Sequence, residues 1–157
     1  MNLLRIEDLK LKINAGFTLV ELMIVILIIA ILATIAIMSF QGQIFKGNDA
    51  KRKADINRIK IAVEEYEKDH NCYPQSVVCT GGGTGLQPYL NKIPCDSTTN
   101  QSYAYEPSCT SGGCCPNWYR FYAKLQNTAD TEITPSIGPG NQYNFYSGSP
   151  NAPIPNQ

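Results

Sequence analysis

The sequence predicts an α+β fold: a long N-terminal hydrophobic α-helix packed on a small antiparallel β-sheet domain, stapled by disulfides. Three observations predict it. A charge-free apolar run extends from Leu22 to Met38, with Thr34 its only polar side chain. Behind it, residues 49–70 place apolar side chains at spacings of three and four, the helical period. All six cysteines then fall between Cys72 and Cys115, among short aromatic-rich stretches with partial alternation.

Taken in order, residues 1–16 carry Arg5, Lys10 and Lys12 with Glu7 and Asp8. A secretory signal peptide has its small-residue cut after the apolar stretch. Here the small residue, Gly16, precedes it, so cutting there leaves the helix in place. An uncleaved single-pass anchor is the plain alternative. Residues 17–40 make roughly 36 Å of helix, enough to span a bilayer core. The segment is apolar all round, which suits lipid and equally suits the centre of a helical filament.

Residues 41–71 continue the helix as an amphipathic segment. Gln41-Gly42 and Gly47-Asn48 are points where it can loosen. Ile56, Ile59, Ala62, Val63 and Tyr66 form the stripe that packs on the globular part, and the opposite face is charged. Asn71 suits a C-cap, and Tyr73-Pro74 stops the helix. Residues 72–146 are the small β-rich domain. Gly81-Gly82-Gly83-Thr84-Gly85 lacks the Lys-Ser/Thr of a phosphate loop and reads as a flexible loop. Leu86 to Leu90 reads as a short helical turn. Tyr103-Ala104-Tyr105, Trp118 to Leu125 and Asn144-Phe145-Tyr146 read as strands. Residues 147–157, with Pro150, Pro153 and Pro155, read as an extended tail.

A soluble part this small needs staples. Clustered cysteines in a small exported domain read as disulfides from an oxidising compartment. Zinc is the rival, but no CxxC pair occurs and His70 is the only histidine. Cys72 with Cys79 would close a short local loop. Adjacent Cys114 and Cys115 suit separate partners, one joining Cys109 and the other Cys95.

Formal net charge is zero, so nothing draws the chain to nucleic acid. The charge is unevenly placed. Lys46, Lys51, Arg52, Lys53, Arg58 and Lys60 dominate residues 46–60, and Glu64, Glu65, Glu67 and Asp69 dominate residues 64–69. A solvated face explains this, and so do complementary blocks on staggered neighbouring helices. No catalytic constellation appears, and His70 at a helix end complements the C-terminal dipole. No enzymatic activity is expected. Aromatics near Trp118 could stack on sugars or bases, but a sheet core is the simpler use.

Glu21 is the residue that a simple anchor does not explain. A carboxylate in a bilayer core costs several kcal/mol, so it asks for a partner. A cut at Gly16-Phe17 would create one, a new α-amino group. The run Ala15-Gly16-Phe17-Thr18-Leu19-Val20-Glu21-Leu22-Met23-Ile24-Val25 strongly resembles the prepilin cleavage motif of type IV pilins and type II secretion pseudopilins. A softer resemblance to bacterial pilins and the major pseudopilin continues through Asp49 to Ile56, Tyr66, Tyr73-Pro74 and Leu90-Asn91-Lys92-Ile93-Pro94. The family often has proline where Met38 stands, so the usual cause of a kink there is missing.

The resemblance implies a pilin-like fold and a definite life history. A prepilin peptidase would cut between Gly16 and Phe17, where glycine admits the backbone to a tight active site. Phe17 would then be N-methylated. Glu21 would pair with the Phe17 amine of a neighbouring subunit and set the register of assembly. The implied function is a structural subunit of a type IV pilus-like filament, serving adhesion, motility, DNA uptake or secretion. The first alternative is a pseudopilin of a type II secretion system, and the second a membrane-tethered binding domain that never polymerises. Partners would be copies of itself, related pilins, the prepilin peptidase, an inner-membrane assembly platform and lipid.

No cofactor is expected, except calcium if the chain is a type II pseudopilin. That family's calcium-binding loop is not recognisable here, and Asp96 and Asp130 are candidate ligands only by residue type. The precursor is expected in the bacterial inner membrane as a single-pass protein, with its C-terminal domain outside the cytoplasm, and later in a pilus or periplasmic filament. One count opposes that orientation. The leader carries three Lys and Arg and residues 46–60 carry six, whereas the positive side normally stays inside. The cysteines and the cleavage motif outweigh this, since most of the basic block lies away from the bilayer edge.

Overall fold

The computed structural model describes residues 16–111 and 113–155. The chain divides into two compact units, Met1–Ser39 and Phe40–Gln157.

The first unit holds the start of helix α1 (Leu19–His70). Thr18 caps it. Its Oγ1 accepts the Glu21 N–H at 3.2 Å, satisfying one of the donors a helix start leaves open, and its carbonyl accepts the first intrahelical bond, from the Leu22 N–H at 3.2 Å. Every side chain from Phe17 to Ile37 is exposed. The lone hydroxyl in the run, that of Thr34, donates to the Ile31 carbonyl at 2.7 Å, so it needs no partner outside the helix. An 18-residue window of α1 has a mean hydropathy of 3.0, so by length and composition it can cross a membrane. The helix assignment runs unbroken through Gln41-Gly42 and Gly47-Asn48.

In the second unit α1 buries Ile56, Ile59, Ala62 and Val63 and half-buries Tyr66, the stripe its period predicts. Burying each of Ile56, Ile59 and Val63 contributes about 1.5–3 kcal/mol. The helix ends at His70, and Asn71 takes the left-handed conformation, φ 55°, with its N–H on the Glu67 carbonyl at 2.7 Å. That is the expected C-terminal cap.

The stripe packs on a three-stranded antiparallel sheet of order β1-β2-β3, with β1 Ala104–Pro107, β2 Tyr119–Ala123 and β3 Phe145–Gly148. Tyr105 faces Phe121, and Phe121 faces Ser147. The three strands fall where the aromatic stretches predict, each shifted or trimmed at its ends. All five residues of β2 are buried, which explains why its alternation is incomplete. Tyr119, Phe121 and Ala123 face the core with α1. The other face is covered as well: a Cβ at Gly138 would lie 2.8 Å from the Tyr122 ring.

Two segments depart from expectation. Residues 147–155 do not form a free tail. β3 continues to Gly148, the Ser149 Oγ accepts the Tyr119 N–H at 3.2 Å, and Arg120 donates to the Pro153 carbonyl at 3.1 Å. Backbone groups of a buried edge need partners, and this segment supplies them. The glycine run is also built in rather than free. Gly83 is buried at φ 64°, its carbonyl accepts the Ile93 N–H at 2.8 Å, and a Cβ there would meet the Ile93 backbone at 2.9 Å. Only glycine fits that approach. Leu86 to Leu90 forms a hydrogen-bonded turn, with the Leu90 N–H on the Leu86 carbonyl at 2.9 Å.

Candidate functional site

At the chain's N-terminal end, Gly16 and Phe17 lie outside any regular element and are exposed, Phe17 at 79 %. A peptide bond entering a protease must be extended and accessible, and this one is both free of helix and uncovered. Residues 1–15 of the expected leader lie outside the described residues. Glu21 stands at the third helical position, where its charge complements the helix dipole. Thr18 and Glu21 together have the Thr-x-x-Glu spacing of a capping box, a signal in the sequence that a reading centred on the cut overlooks. Here the Glu21 backbone N–H is the capped group, and its carboxylate remains at the exposed end of an apolar segment.

The six cysteines form three pairs: Cys72–Cys115, Cys79–Cys95 and Cys109–Cys114. The expected separation of Cys114 from Cys115 holds, and so does a link to Cys109. The local Cys72–Cys79 loop and the link from Cys95 to Cys114 or Cys115 do not. The reason lies in the chain path. The Tyr73 N–H donates to the Pro116 carbonyl at 3.0 Å, holding Cys72 beside Cys115 with their Cα atoms 5.2 Å apart. The segment from Tyr73 to Val77, buried at both its ends, then carries Cys79 away. There the Cys79 N–H meets the Ser102 Oγ at 2.9 Å, and the Gly83–Ile93 bond brings Cys95 within 5.4 Å.

The charged residues of α1 are not all a solvated face. Asp49 and Arg52 are buried, and Arg52 donates to Asp49 and to Asp96, each at 2.9 Å. Asp49 also accepts the backbone N–H groups of Gln126 and Asn127 at 2.9 and 2.7 Å. One turn of helix thus fastens two loops, one through Asp96 and the other through residues 126–127. Lys53, beside Arg52, bonds Asp130 at 2.8 Å and Glu132 at 2.6 Å. Burial pushes the Asp96 carboxyl up, but bonds from Arg52 and the Thr98 N–H outweigh it and hold it below the usual range. The Lys53 ammonium holds Asp130 below it too. Lys46, Lys51 and Arg58 are exposed and make no ion pair among the described residues. His70 stacks on Tyr66 with ring centroids 4.0 Å apart, and Trp118 lies under the Arg120 guanidinium at 4.7 Å.

These contacts decide the fit of calcium. A calcium ion wants six to eight oxygens. Asp96 and Asp130 stand on different loops, and each is already bonded to a basic side chain of α1. Among the described residues no group of three or more His, Cys, Asp or Glu is placed to hold a metal. Asp96 and Asp130 as placed here do not fit the ion as a pair.

Comparison with known proteins gives a consistent picture. Residues 11–37 match the family described as the prokaryotic N-terminal methylation motif. The type II secretion system core protein G of Escherichia coli (strain K12) is 37% identical over 104 residues, covering 59% of this chain and 72% of that protein. That of Aeromonas hydrophila is 34% identical over 79 residues, 50% of this chain and 51% of that protein. Fimbrial protein EcpC of Eikenella corrodens is 35% identical over 83 residues, 52% of this chain and 54% of that protein. The chain spans about half the length of most of the curated relatives it matches. No solved structure matches it.

Proposed function

This chain belongs to the type IV pilin and type II secretion pseudopilin family, and from that premise we propose that it is a filament subunit of the pseudopilin kind, serving a type II secretion system. The observation that carries this is the length of the match to the E. coli core protein G. It covers 59% of this chain, more than everything up to the end of α1 at His70, so it reaches past the apolar helix that all such subunits need. A surface pilus is the second reading, favoured by the fimbrial relative of Eikenella corrodens. Calcium does not separate the two, because the acidic side chains that would bind it are engaged with Arg52 and Lys53.

In this reading the precursor sits in the inner membrane through α1, with the disulfide-bonded unit in an oxidising compartment. The basic block opposes that orientation less than its count suggests, since Arg52 and Lys53 are neutralised by Asp49, Asp96, Asp130 and Glu132. A prepilin peptidase cuts after Gly16, and Phe17 becomes the methylated N-terminus. Glu21 then meets the Phe17 amine of a neighbouring subunit. Breaking such a buried pair strands the other charge, at a cost of about 3–5 kcal/mol, so subunits stack only in the register where the charges meet. An assembly platform in the membrane supplies the work of extraction. The chain itself has a structural role and no catalytic one.

Deletion of the gene in its native host is the test. Loss of exported enzymes from the medium, with surface fibres intact, supports the pseudopilin. Loss of surface fibres with secretion intact supports the pilus. If neither changes and Glu21→Ala leaves the protein's function untouched, a tethered binding domain replaces both.

A further inference from the structure

The connection from β2 to β3 runs from Lys124 to Asn144 without a strand of its own. A loop of that length in a compact unit normally needs something to hold it. It carries a small bridge of its own, Ile137 to Tyr143, and is attached to α1 and to itself at several points. Asp49 takes the N–H groups of Gln126 and Asn127, and Asn144 pairs with Leu125 through both its Oδ1 and its Nδ2, at 2.6 and 3.0 Å. Between these, at the loop's acidic turn, stands Lys53.

The geometry at Lys53 is that of a cation in a ligand shell. Its Nζ lies 2.9 and 2.8 Å from the two Asp130 oxygens and 2.6 Å from the Glu132 Oε2. An ammonium has three protons, and three carboxylate oxygens surround this one. The Phe145 ring centroid lies 5.4 Å away and closes the apolar side. Asp130 also shapes the turn directly, because its Oδ1 accepts the Glu132 N–H at 3.0 Å. The carboxylates thus fold the loop and face α1, and the positive charge they require comes from α1 itself. A divalent ion at the same point would have to displace the ammonium and would find two acidic side chains where it wants six to eight oxygens.

We propose that the Lys53 side chain is the built-in cation of the β2–β3 loop, so that this loop folds and stays docked without a divalent metal. The inference goes beyond the filament reading and is independent of it, since it concerns one loop of a single subunit and holds for pilus or pseudopilus alike. Asp130 and Glu132 are positioning residues, and their ligand is internal.

The test is hydrogen exchange and thermal unfolding of the detergent-solubilised full chain, followed by the fluorescence of its single tryptophan, Trp118. Wild-type protein is expected to give the same Tm, and the same protection at the Glu132 and Ile133 amides, in excess EDTA and in excess calcium. A loop that used calcium at a hundred times its Kd would shift Tm by roughly 10 °C. Lys53→Ala is expected to speed exchange at those amides and lower Tm in either buffer, while Lys51→Ala, exposed and unpaired, does neither. Should Lys53→Ala fail to fold, Asp130→Asn is expected to speed exchange at the same amides. A wild-type Tm that falls in EDTA and returns with calcium overturns the proposal, and so do loop amides that exchange alike in wild type, Lys53→Ala and Asp130→Asn.

Discussion

The two units of this chain solve opposite problems. From Phe17 to Ile37 every side chain is exposed, and the two internal needs of the segment, its helix start and the Thr34 hydroxyl, are met by Thr18 and the Ile31 carbonyl. All its apolar surface is left for something outside the chain. The second unit turns inward. Its helix stripe is covered by the sheet, its cysteines are all paired, and even the buried charges on α1, Asp49 and Arg52, are bonded to its own loops. A contiguous exposed apolar surface of that extent marks a membrane or an assembly contact. A domain whose polar groups are internally satisfied can keep its fold through insertion, extraction and stacking. Changes in the second unit should therefore act on folding, and changes near the N-terminus should act on assembly and leave folding alone.

Asp49→Ala should have the largest effect on the folded unit. It leaves the buried Arg52 without one partner and two backbone N–H groups without an acceptor. Fully stranding a buried charge costs about 3–5 kcal/mol; Arg52 keeps Asp96, but the two N–H groups left without an acceptor add about 1–3 kcal/mol each, to be read as a fall in Tm of the full chain in detergent. The disulfides should come next and should rank by loop length. Removing Cys72–Cys115, which spans 43 residues, should cost about 4 kcal/mol, and removing Cys109–Cys114 about 2 kcal/mol, in the chain-entropy picture. Equal losses would mean that the bridges act through local strain instead.

Acid should have the smallest effect. Asp96 and Asp130 have folded-state values below the ordinary carboxylate value of about 3.9. Their contribution is fully present above that ordinary value and is lost as pH falls through the depressed ones. Unfolding measured between pH 7 and pH 5 should therefore hardly change, with a decline beginning below about pH 4. In Lys53→Ala the part of that decline due to Asp130 should shrink, leaving only what the Glu132 N–H supplies.

Where the sequence was legible follows from how local each cause is. The helical stripe at Ile56, Ile59, Ala62 and Val63 and the cap at Asn71 follow from spacing and backbone preference, and both are found in place. The strands were visible through their aromatics, because cross-strand packing rewards them. The cysteine pairing was not legible, because the bond between Tyr73 and Pro116 that sets it joins distant residues. Nor were the ion pairs. Lys53 and Asp130 lie 77 residues apart, and a basic residue on a helix gives no sign of which loop returns to it. The proline-rich end misled for a related reason: Pro150, Pro153 and Pro155 suggest a free segment, while the buried Ser149 hydroxyl and the Pro153 carbonyl attach it to β2. At the N-terminus the motif was legible, and the cap by Thr18 was missed because Glu21 suggested a distant partner before a near one.

The most direct measurement takes Glu21→Ala and wild type from the native host and records three things for each: the intact mass of the mature chain, the yield of sheared filaments, and Tm. A pilin-type subunit gives an N-methylated Phe17 start in the wild type, no filaments in the variant, and the same Tm in both, because Glu21 belongs to the unit that looks outward. Filaments that survive Glu21→Ala, or a wild-type chain that still begins at Met1, would contradict the assignment of the N-terminal unit to assembly.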